Sequence, residues 1–407
     1  MQHLLLLFFS ALLGLKQCTE STGESRGQTS FESQTTAEPV NKNAEIITGA
    51  QQTTRYLPLL KDKRVALVVN QTSVIGKKHL VDSLLALGVN IKLIYAPEHG
   101  FRGEADAGAH ISNAKDAQTG LPIFSLYGKN KKPAAEQLKD IDAVIFDIQD
   151  VGTRFYTYIS TMHYVMEACA ENNKQLLVLD RPNPNGYYVD GPVRDAEHQS
   201  FVGMHPIPIV HGLTVGELAQ MINGEKWLRE QLTCNLKIIP VQHYTHKSRY
   251  SLPVKPSPNL PNDLAVQLYP SICLFEGTNV SVGRGTEMPF QVLGSPFYTK
   301  KNYSFTPKSK PGATNPPHLN QVCFGYKLTP ANVQGKFTVQ YILDFYRNST
   351  DKDKFFTNLF TTLAGTPALK EQIIAGKSEE QIRASWAPAL QAYKKMRKQY
   401  LLYPDFE

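Results

Sequence analysis

The chain of 407 residues is too long for one ordinary hydrophobic core, and its length predicts about two domains. A hydrophobic fraction of 42% and a charged fraction of 19% are typical of a globular chain, and no stretch after residue 20 is apolar and long enough to cross a bilayer. The net charge of +7 is spread along the chain rather than gathered in a stripe, which argues against nucleic-acid binding.

The amino terminus has the pattern of an export signal. Residues 4–15 form an apolar run of the length of a signal-peptide core, and Cys18 follows it closely, where a bacterial lipoprotein carries its lipid. Lys16 and Gln17 are larger than is usual before such a cysteine. We expect a signal peptide over 1–18 with lipidation at Cys18, a disordered tether over 19–45, and an exported, periplasmic or membrane-anchored protein.

Strand and helix patterns alternate regularly over residues 46–245. The predicted strands are 64–70, 90–97, 122–127, 143–149, 175–179 and 235–241, and the predicted helices are 79–87, 159–169 and 218–228. This alternation predicts right-handed crossovers and a Rossmann-like α/β domain, in which a parallel sheet carries helices on both faces. Asn70-Gln71-Thr72-Ser73 follows the first strand in place of a G-x-G-x-x-G fingerprint, so no dinucleotide cofactor is expected.

The regular alternation of strand and helix patterns does not continue over residues 246–407. Pro and Asn become frequent over 253–270, and short strands such as 322–328 then mix with helices such as 339–346. Ser378 is placed to cap a final helix, in which Pro388 is expected to begin a new first turn. We predict a smaller α+β carboxyl-terminal domain that closes a ligand cleft against the first domain.

A dense group of polar residues follows the predicted strand 143–149. The group is Asp147, Gln149, Asp150, Arg154, Tyr156 and Tyr158. In open α/β sheets ligands bind at the carboxyl ends of the strands, so this stretch is a candidate site. The alternative is structural: Gly152 makes a turn, the two aspartates cap a helix, and Arg154 forms a surface ion pair.

The strand over 90–97 is followed by Glu98, His99 and Arg102. Glu98 is a candidate general acid, because Phe101 and an overlying second domain would favour its protonated form. The alternative is a surface glutamate paired with Arg102. His99 is expected to orient the substrate or the acid rather than to bind a metal.

Further polar groups stand at equivalent strand ends or in a glycine-rich stretch. They are Arg181 and Asn183 after the fifth strand, His211 before the Thr214 helix cap, and Glu276, Asn279, Ser281 and Arg284 among closely spaced glycines. Those glycines are expected to let the backbone approach a ligand. A phosphate loop is the competing interpretation, but it lacks the Lys-Ser/Thr ending and the helix that should follow.

The cysteines give no sign of a metal site. Cys169 falls on the apolar face of a predicted helix and Cys273 lies in an apolar run, so both are expected to be buried free thiols. No CxxC or His-Cys spacing indicates zinc. Carboxylates, arginines, amides and phenols without metal or cofactor signatures suit a polar, anionic substrate that is cleaved by acid/base chemistry, such as a glycoside.

Several of these motifs, in this order, resemble one family. They are 98–103 (EHGFRG), 147–158 (DIQDVGTRFYTY), 181–184 (RPNP), 276–279 (EGTN) through 284–286 (RGT), and 400–404 (YLLYP). This combination is similar to the DUF1343 family, whose characterised members are exo-β-N-acetylmuramidases of the NamZ type. The resemblance covers about residues 46–407. It implies a Rossmann-like domain plus a smaller carboxyl-terminal domain, no cofactor, and release of terminal N-acetylmuramic acid (MurNAc) from peptidoglycan glycans such as MurNAc-GlcNAc.

The resemblance implies a catalytic role for Glu98 in its E-H-G motif and substrate contacts for the other matched polar residues. The expected catalytic group is Glu98 as acid, His99, and a second carboxylate from Asp147, Asp150 or Glu276. The expected substrate contacts are Arg102, Gln149, Arg154, Tyr156, Tyr158, Arg181, Asn183, His211, Asn279, Ser281 and Arg284. One arginine is expected to bind the lactyl carboxylate of MurNAc. Two other functions stay open: a lipoprotein that binds muropeptides or sugars without cleaving them, and a hydrolase of another bond such as an amide.

Overall fold

The computed structural model describes residues 44–98, 100–101 and 114–407. Cys18, His99 and Arg102 lie outside the described residues, as do the expected signal peptide and nearly all of the expected tether. Within the described ranges, no helix is both long and apolar enough to cross a membrane.

The element order alternates strands and helices in the first half of the chain. The strands are β1 (Arg64–Val69), β2 (Val74–Ile75), β3 (Lys78–His79), β4 (Asn90–Ala96), β5 (Ala114–Lys115), β6 (Pro122–Ser125), β7 (Ala143–Asp147), β8 (Gln175–Leu179), β9 (Asp190–Val193), β10 (Pro208–Val210), β11 (Asn235–Ile239), β12 (Val292–Ser295), β13 (Ser304–Phe305) and β14 (Cys323–Lys327). The helices are α1 (Thr53–Leu60), α2 (Leu80–Ala86), α3 (Ala135–Leu138), α4 (Tyr158–Glu171), α5 (Val215–Gly224), α6 (Asp263–Ile272), α7 (Gln340–Arg347), α8 (Asn358–Ala364), α9 (Ala368–Ile374) and α10 (Glu379–Arg397).

One seven-stranded sheet dominates the fold. Its strand order is β11-β8-β7-β1-β4-β6-β5, and the pairs are parallel except for the antiparallel pair of β5 with β6. The predicted α/β class with a mostly parallel sheet is therefore confirmed. Because β7 is an interior strand next to the central strand β1, the polar stretch after it lies well inside the carboxyl edge of the sheet.

The central strands are apolar throughout because both faces of the sheet are covered. Along β1, Val65, Leu67 and Val69 belong to the core on one face, whereas Ala66 and Val68 belong to the core on the other. Alternate residues of a strand point to opposite faces, so a continuous apolar run is what a doubly covered strand requires. The larger core also takes in side chains from the second half of the chain.

The second half is a smaller α+β region. A three-stranded antiparallel sheet in the order β12-β14-β13 lies among α6 to α10. The expectation that Pro388 begins a new first turn is wrong, because α10 runs through it from Glu379 to Arg397. Trp386 before the proline and Leu390 after it are both buried, and this packing offsets the backbone hydrogen bond that proline cannot make.

The carboxyl-terminal segment ties the two halves together at the sheet edge. The Tyr403 hydroxyl donates to Asp180 Oδ2 at 2.5 Å and accepts from the Val241 backbone N–H at 2.9 Å. Thr214 caps α5 as predicted, accepting from Glu217 N at 3.2 Å, and its hydroxyl also donates to Asp180 at 2.7 Å. These bonds fix the strand ends around which a ligand site is built.

Candidate active site

The polar stretch after β7 crosses the carboxyl edge of the sheet before α4 begins at Tyr158. Gly152 makes this path possible. It has a φ of +80°, and a Cβ at this position would lie 2.3 Å from the Asn183 side chain. After this turn the chain directs residues 155–158 into a cleft.

This cleft of about 230 Å³ is the candidate active site. Its walls come from the end of β4, from residues 155–158, from the segment between β9 and β10, and from the second half of the chain. The lining residues are Glu98, Phe155, Tyr156, Thr157, Tyr158, Val202, Ser257, Leu260, Tyr269, Cys273, Glu276, Arg284, Phe290 and Leu363. The fold thus brings together five residues that the sequence proposed from three separate stretches: Glu98, Tyr156, Tyr158, Glu276 and Arg284.

Glu98 is half-buried in this cleft and has hydroxyl neighbours. Thr157 donates its hydroxyl to Glu98 Oε2 at 3.3 Å, and the Tyr158 hydroxyl lies 3.5 Å from the Glu98 backbone oxygen. The Tyr127 phenol also hydrogen-bonds to the carboxylate. Burial and then the charge of Glu98 raise the pKa of Tyr127 to about 12, so this phenol remains a donor at neutral pH.

The apolar surroundings of Glu98 differ from the expected ones. Phe101, which the sequence placed beside it, packs edge-on against His79 with ring centroids 4.7 Å apart and belongs to the core below the sheet. The aromatic side chains that share the cleft with Glu98 include Phe155 and Phe290 instead. These aromatic side chains therefore come from the stretch after β7 and from the carboxyl-terminal half.

Tyr156 and Tyr158 pack edge to face, with ring centroids 5.0 Å apart. Burial, aided by the neighbouring phenol and by Asp150, raises the pKa of Tyr156 well above its usual value. Burial and the charge of Glu98 likewise raise the pKa of Tyr158. Both phenols therefore stay protonated, and Tyr156 donates to the Pro256 carbonyl oxygen at 2.7 Å. This bond fixes the position of residue 256 at the rim of the cleft.

Glu276, the second carboxylate in the cleft lining, is paired with a cation. Arg284 donates from Nε to Glu276 Oε1 at 2.7 Å, and the side chains are 18% and 26% exposed respectively. Burial alone would lower the pKa of Arg284, but the charge and the hydrogen bond of Glu276 raise it. Nη1 and Nη2 of Arg284 make no hydrogen bond to any described residue, which leaves two donors for a ligand in the cleft.

Cys273 also holds the Glu276 carboxylate, since its Sγ lies 3.6 Å from Oε2. Burial and then Glu276 raise the pKa of this thiol well above its usual value. A thiol that stays protonated is a poor nucleophile, so Cys273 orients the carboxylate instead of attacking a substrate. The expectation that Cys169 and Cys273 are buried free thiols is confirmed, and Cys234 and Cys323 are buried and free as well.

Asp147 and Arg181 lie away from this cleft. Arg181 binds both carboxylate oxygens of Asp147, at 2.6 Å from Nε and 2.8 Å from Nη2, and both side chains are buried. Asp147 is 0% exposed. A carboxylate so fully engaged is not available to a substrate beside Glu98, so the structure favours Glu276 over Asp147 as the second carboxylate.

Asp150 lies beneath the cleft rather than in its lining. Its Oδ2 accepts from the Gly152 N–H at 2.6 Å, and His211 Nε2 lies 3.3 Å from the same oxygen. His211 Nδ1 accepts from the Leu213 N–H at 3.2 Å, and Nε2 makes no hydrogen bond within the described part of the chain. Asp150 and His211 are buried, so this pair supports the turn below Tyr156.

Arg154, which the sequence predicted as a substrate contact, is bonded to the protein backbone. Its guanidinium is fully buried and donates to four backbone carbonyl oxygens at 2.7–3.0 Å. The acceptors belong to Pro192, Ile207, Leu363 and Ala364. Because these donors are already engaged, Arg154 joins the β9–β10 region to α8 and has a structural role.

Gln149 and Asn183 also satisfy backbone groups. Gln149 donates to the Asp150 and Pro182 carbonyl oxygens, and Asn183 donates to the Leu213 carbonyl oxygen at 2.8 Å. Both side chains are buried. They hold the strand-end loops against one another, and neither lines the cleft.

The glycine-rich stretch packs against protein. A Cβ at Gly277 would lie 2.4 Å from the Phe360 backbone, and one at Gly285 would lie 2.4 Å from the Lys308 carbonyl oxygen. The glycines therefore allow close packing within the chain and not the expected approach to a ligand. Asn279 and Ser281 of the same stretch lie outside the cleft lining, and Ser281 bridges to Gly294 through its backbone.

Three residues that contribute to the site were missed in the sequence: Tyr127, Thr157 and Cys273. Thr157 lies inside the motif that the sequence singled out, but it carries no charge. Tyr127 ends a short predicted strand, and its position at the carboxyl edge was the signal that could have found it. No cluster of three or more potential metal ligands occurs among the described residues.

The comparisons with known proteins agree with this architecture. Two family models match consecutively: exo-β-N-acetylmuramidase NamZ, N-terminal, over residues 65–264, and exo-β-N-acetylmuramidase NamZ, C-terminal, over residues 267–403. The chain belongs to the NamZ family. The predicted domains over 46–245 and 246–407 remain a prediction, and the two NamZ models meet near residue 265.

Relatives of the NamZ family match along most of the chain. A peptidoglycan β-N-acetylmuramidase, NamZ, from Bacillus subtilis (strain 168) is 41% identical over 374 residues, which are 86% of this chain and 89% of that protein. A crystal structure of a DUF1343 family protein from Bacteroides fragilis has a TM-score of 0.83 and 49% identity, and covers 89% of this chain and 100% of that one. A second DUF1343 structure from the same organism has a TM-score of 0.76 and 30% identity, and covers 88% and 99%.

Proposed function

We propose that this chain is an exo-acting glycoside hydrolase that releases the terminal non-reducing N-acetylmuramic acid from peptidoglycan fragments. The observation that carries the proposal is a small cleft that two carboxylates, Glu98 and Glu276, line together with phenols and a guanidinium. Hydroxyl groups donate to Glu98, and Arg284 is paired with Glu276. Glycoside hydrolysis requires two carboxyl groups, one as acid and another as a charged base or nucleophile, and this cleft supplies both.

In this assignment Glu98 is the general acid. It protonates the oxygen that leaves when the glycosidic bond breaks, and Tyr127 and Thr157 hold its carboxyl group in position. Glu276, held by Arg284 and Cys273, is the carboxylate that acts on the anomeric carbon or on the attacking water.

Arg284 is the residue that we assign to the lactyl carboxylate of MurNAc. Its Nε is used by Glu276, but its two terminal nitrogens make no hydrogen bond to a described residue. A guanidinium end with two parallel donors matches the geometry of a carboxylate. The sequence offers Arg154, Arg181 and Arg284 for this role, with Arg102 less favoured, and the first two are engaged by protein groups outside this cleft.

The size of the cleft supports an exo mode of action. Its volume of about 230 Å³ lies below the roughly 300–1,000 Å³ of pockets for drug-sized ligands. It therefore accommodates about one sugar residue, which suits an enzyme that removes one terminal residue at a time.

The test compares a chromogenic aryl β-glycoside of MurNAc with the same glycoside of GlcNAc. We expect release of the phenol from the MurNAc compound and far slower release from the GlcNAc compound, because only the former carries the carboxylate that Arg284 binds. Calorimetric binding of the MurNAc compound without release of phenol would identify a binding protein and overturn the proposal.

We also propose export and a lipid anchor, which the sequence alone supports. Cys18 closely follows the apolar run 4–15, and a polar stretch comes after it. In a bacterial host, Cys18→Ser should move the protein from the membrane fraction to the soluble exported fraction. Recovery of the wild-type chain in the soluble fraction, cleaved at another position, would contradict the anchor.

A further inference from the structure

A second cleft opens at the carboxyl edge of the sheet, over β8. Its volume is about 360 Å³. The lining residues are Glu45, Ile46, Thr48, Gln51, Val74, Gly76, Arg181, Tyr250, Ser251 and Pro253. None of them lines the cleft that contains Glu98, so the second cleft is a separate cavity on the same edge.

A buried guanidinium forms part of the floor of this second cleft. Arg181 is 3% exposed, and it uses Nε and Nη2 to bind Asp147. Nη2 also lies 3.3 Å from the Val74 carbonyl oxygen. Nη1 has no hydrogen-bond partner among the described residues, although Arg181 lines the cavity. One rigidly held N–H donor group therefore remains for a ligand.

The charges around the cavity disfavour an acidic ligand. The buried Asp147 already neutralises Arg181, and the exposed Glu45 adds a negative charge at the rim. Burial raises the pKa of the Tyr250 phenol, while the charge of Arg181 lowers it and the charge of Glu45 raises it. The net pKa is raised, so the phenol stays a neutral donor. Uncharged hydroxyl and acetamido groups suit these donors better than a carboxylate does.

Apolar groups complete the lining. Ile46, Val74 and Pro253 share the cavity with the Tyr250 ring and with the Gln51 side chain. A sugar presents an apolar face of C–H groups and a rim of hydroxyl groups, and an N-acetyl group adds a methyl and a carbonyl. Donors above an apolar wall match that distribution.

One segment of chain borders both cavities. Tyr250, Ser251 and Pro253 line the second cleft, and Ser257 lines the first. Pro253 and Ser257 are separated by at most about 14 Å even if the chain between them is fully extended. The Pro256 carbonyl oxygen accepts from Tyr156 at 2.7 Å and from Gln71 at 3.0 Å. These two bonds hold the segment that borders both cavities against the edge of the sheet.

We propose that the Arg181 cleft is an accessory saccharide subsite that binds the N-acetylated leaving glycan while MurNAc occupies the Glu98 cleft. The proposal rests on the proposed glycosidase function and extends it to the other side of the scissile bond. Binding energy from a non-reacting part of the substrate then lowers KM, and so raises kcat/KM, for oligosaccharides relative to substrates with a small leaving group.

The test uses Tyr250→Ala and Tyr250→Phe, with Tyr303→Phe as the matched control. Tyr303 is also partly exposed, but it lies in the loop before β13, away from both cavities. For a tetrasaccharide with MurNAc at its non-reducing end, we expect Tyr250→Ala to raise KM about ten-fold with kcat little changed. Tyr250→Phe should produce a smaller rise. Hydrolysis of the aryl MurNAc glycoside, whose leaving group does not reach the second cleft, should stay within about two-fold for every variant.

A direct binding measurement makes the subsite testable independently of catalysis. In calorimetric titrations with N,N′-diacetylchitobiose, we expect the wild type and Tyr303→Phe to bind and Tyr250→Ala to bind about ten-fold more weakly. Maltose, which lacks acetamido groups, should bind more weakly than the chitobiose. Unchanged chitobiose affinity in Tyr250→Ala, or equal losses on tetrasaccharide and aryl glycoside, would overturn the subsite. Failure of the wild type to release phenol would instead overturn the glycosidase proposal. The chitobiose titration would then still test the subsite, because it does not depend on catalysis.

Discussion

Glu98→Gln removes the proton that the proposed acid donates and little else. Glutamine has nearly the shape of glutamate and keeps an oxygen that accepts from the hydroxyls of Tyr127 and Thr157. The Thr157 hydrogen bond is long, at 3.3 Å, and the side chain is only half-buried. We therefore expect the free energy of unfolding to change by less than about 2 kcal/mol.

The loss of activity should depend on the leaving group. General acid catalysis contributes about 10²- to 10⁴-fold, which corresponds to about 3–5 kcal/mol of barrier. A sugar hydroxyl is a poor leaving group, so Glu98→Gln should lose the full factor on a MurNAc-GlcNAc disaccharide. An activated phenol leaves without protonation, so the same variant should lose less than about ten-fold on the aryl MurNAc glycoside.

The assay measures kcat/KM on both substrates for the wild type, Glu98→Gln and Glu276→Gln. Glu276→Gln is the matched control, because a base or nucleophile is needed whatever the leaving group is, so its losses should be large on both substrates. Equal losses for Glu98→Gln on the two substrates, or near-normal cleavage of the disaccharide, would remove Glu98 from the acid role.

Three further predictions concern binding and stability. Arg284→Lys keeps a positive charge beside Glu276 but loses the Nε hydrogen bond to Glu276 and the two-donor end. The activation barrier that kcat/KM reports should therefore rise on both aryl glycosides, by about 2 kcal/mol more for the MurNAc glycoside than for the GlcNAc glycoside; equal rises on both would refute carboxylate binding. Burial raises the pKa of Asp180 to about 6, from 3.8 in the unfolded chain, so the folded state retains a proton that the unfolded state loses. The free energy of unfolding should therefore fall by about 3 kcal/mol as pH rises from about 4 to about 6. Urea unfolding at several pH values should show this fall in the wild type relative to Asp180→Asn, and the same pH dependence in both proteins would contradict it. Arg154→Met leaves four buried carbonyl oxygens without donors and should destabilise the fold by at least about 3 kcal/mol in the same assay, whereas a stable variant with weaker substrate binding would restore the predicted substrate contact.

The sheet was predictable from the sequence because its central strands are buried on both faces. Continuous apolar runs in β1 and β7 need no knowledge of distant contacts, and the observed bounds differ from the predicted ones only at the ends. The course of α10 was not predictable in the same way. Local rules end a helix at Pro388, but the buried side chains on either side of it are a tertiary effect.

The candidate site was predictable in outline, because polar residues at strand ends share one edge of a parallel sheet. Which of these residues line the cleft, and which only support the loops around it, was not predictable. Arg154, Gln149 and Asn183 resemble ligand-binding groups in the sequence, yet each donates to a backbone carbonyl oxygen 30 or more residues along the chain. Arg284 and Glu276 are separated by few residues, but their approach to Glu98 depends on the folding of the whole second half.

The most direct test of the account is the product pattern from two purified glycans. One has MurNAc at its non-reducing end and the other is capped there by GlcNAc, and mass spectrometry follows both with time. We expect the first glycan to lose a single MurNAc residue and the GlcNAc-capped glycan to remain intact, because the Glu98 cleft admits one terminal sugar and Arg284 selects its carboxylate. Internal cleavage of the capped glycan, or no release of MurNAc from the first, would contradict an exo-acting muramidase.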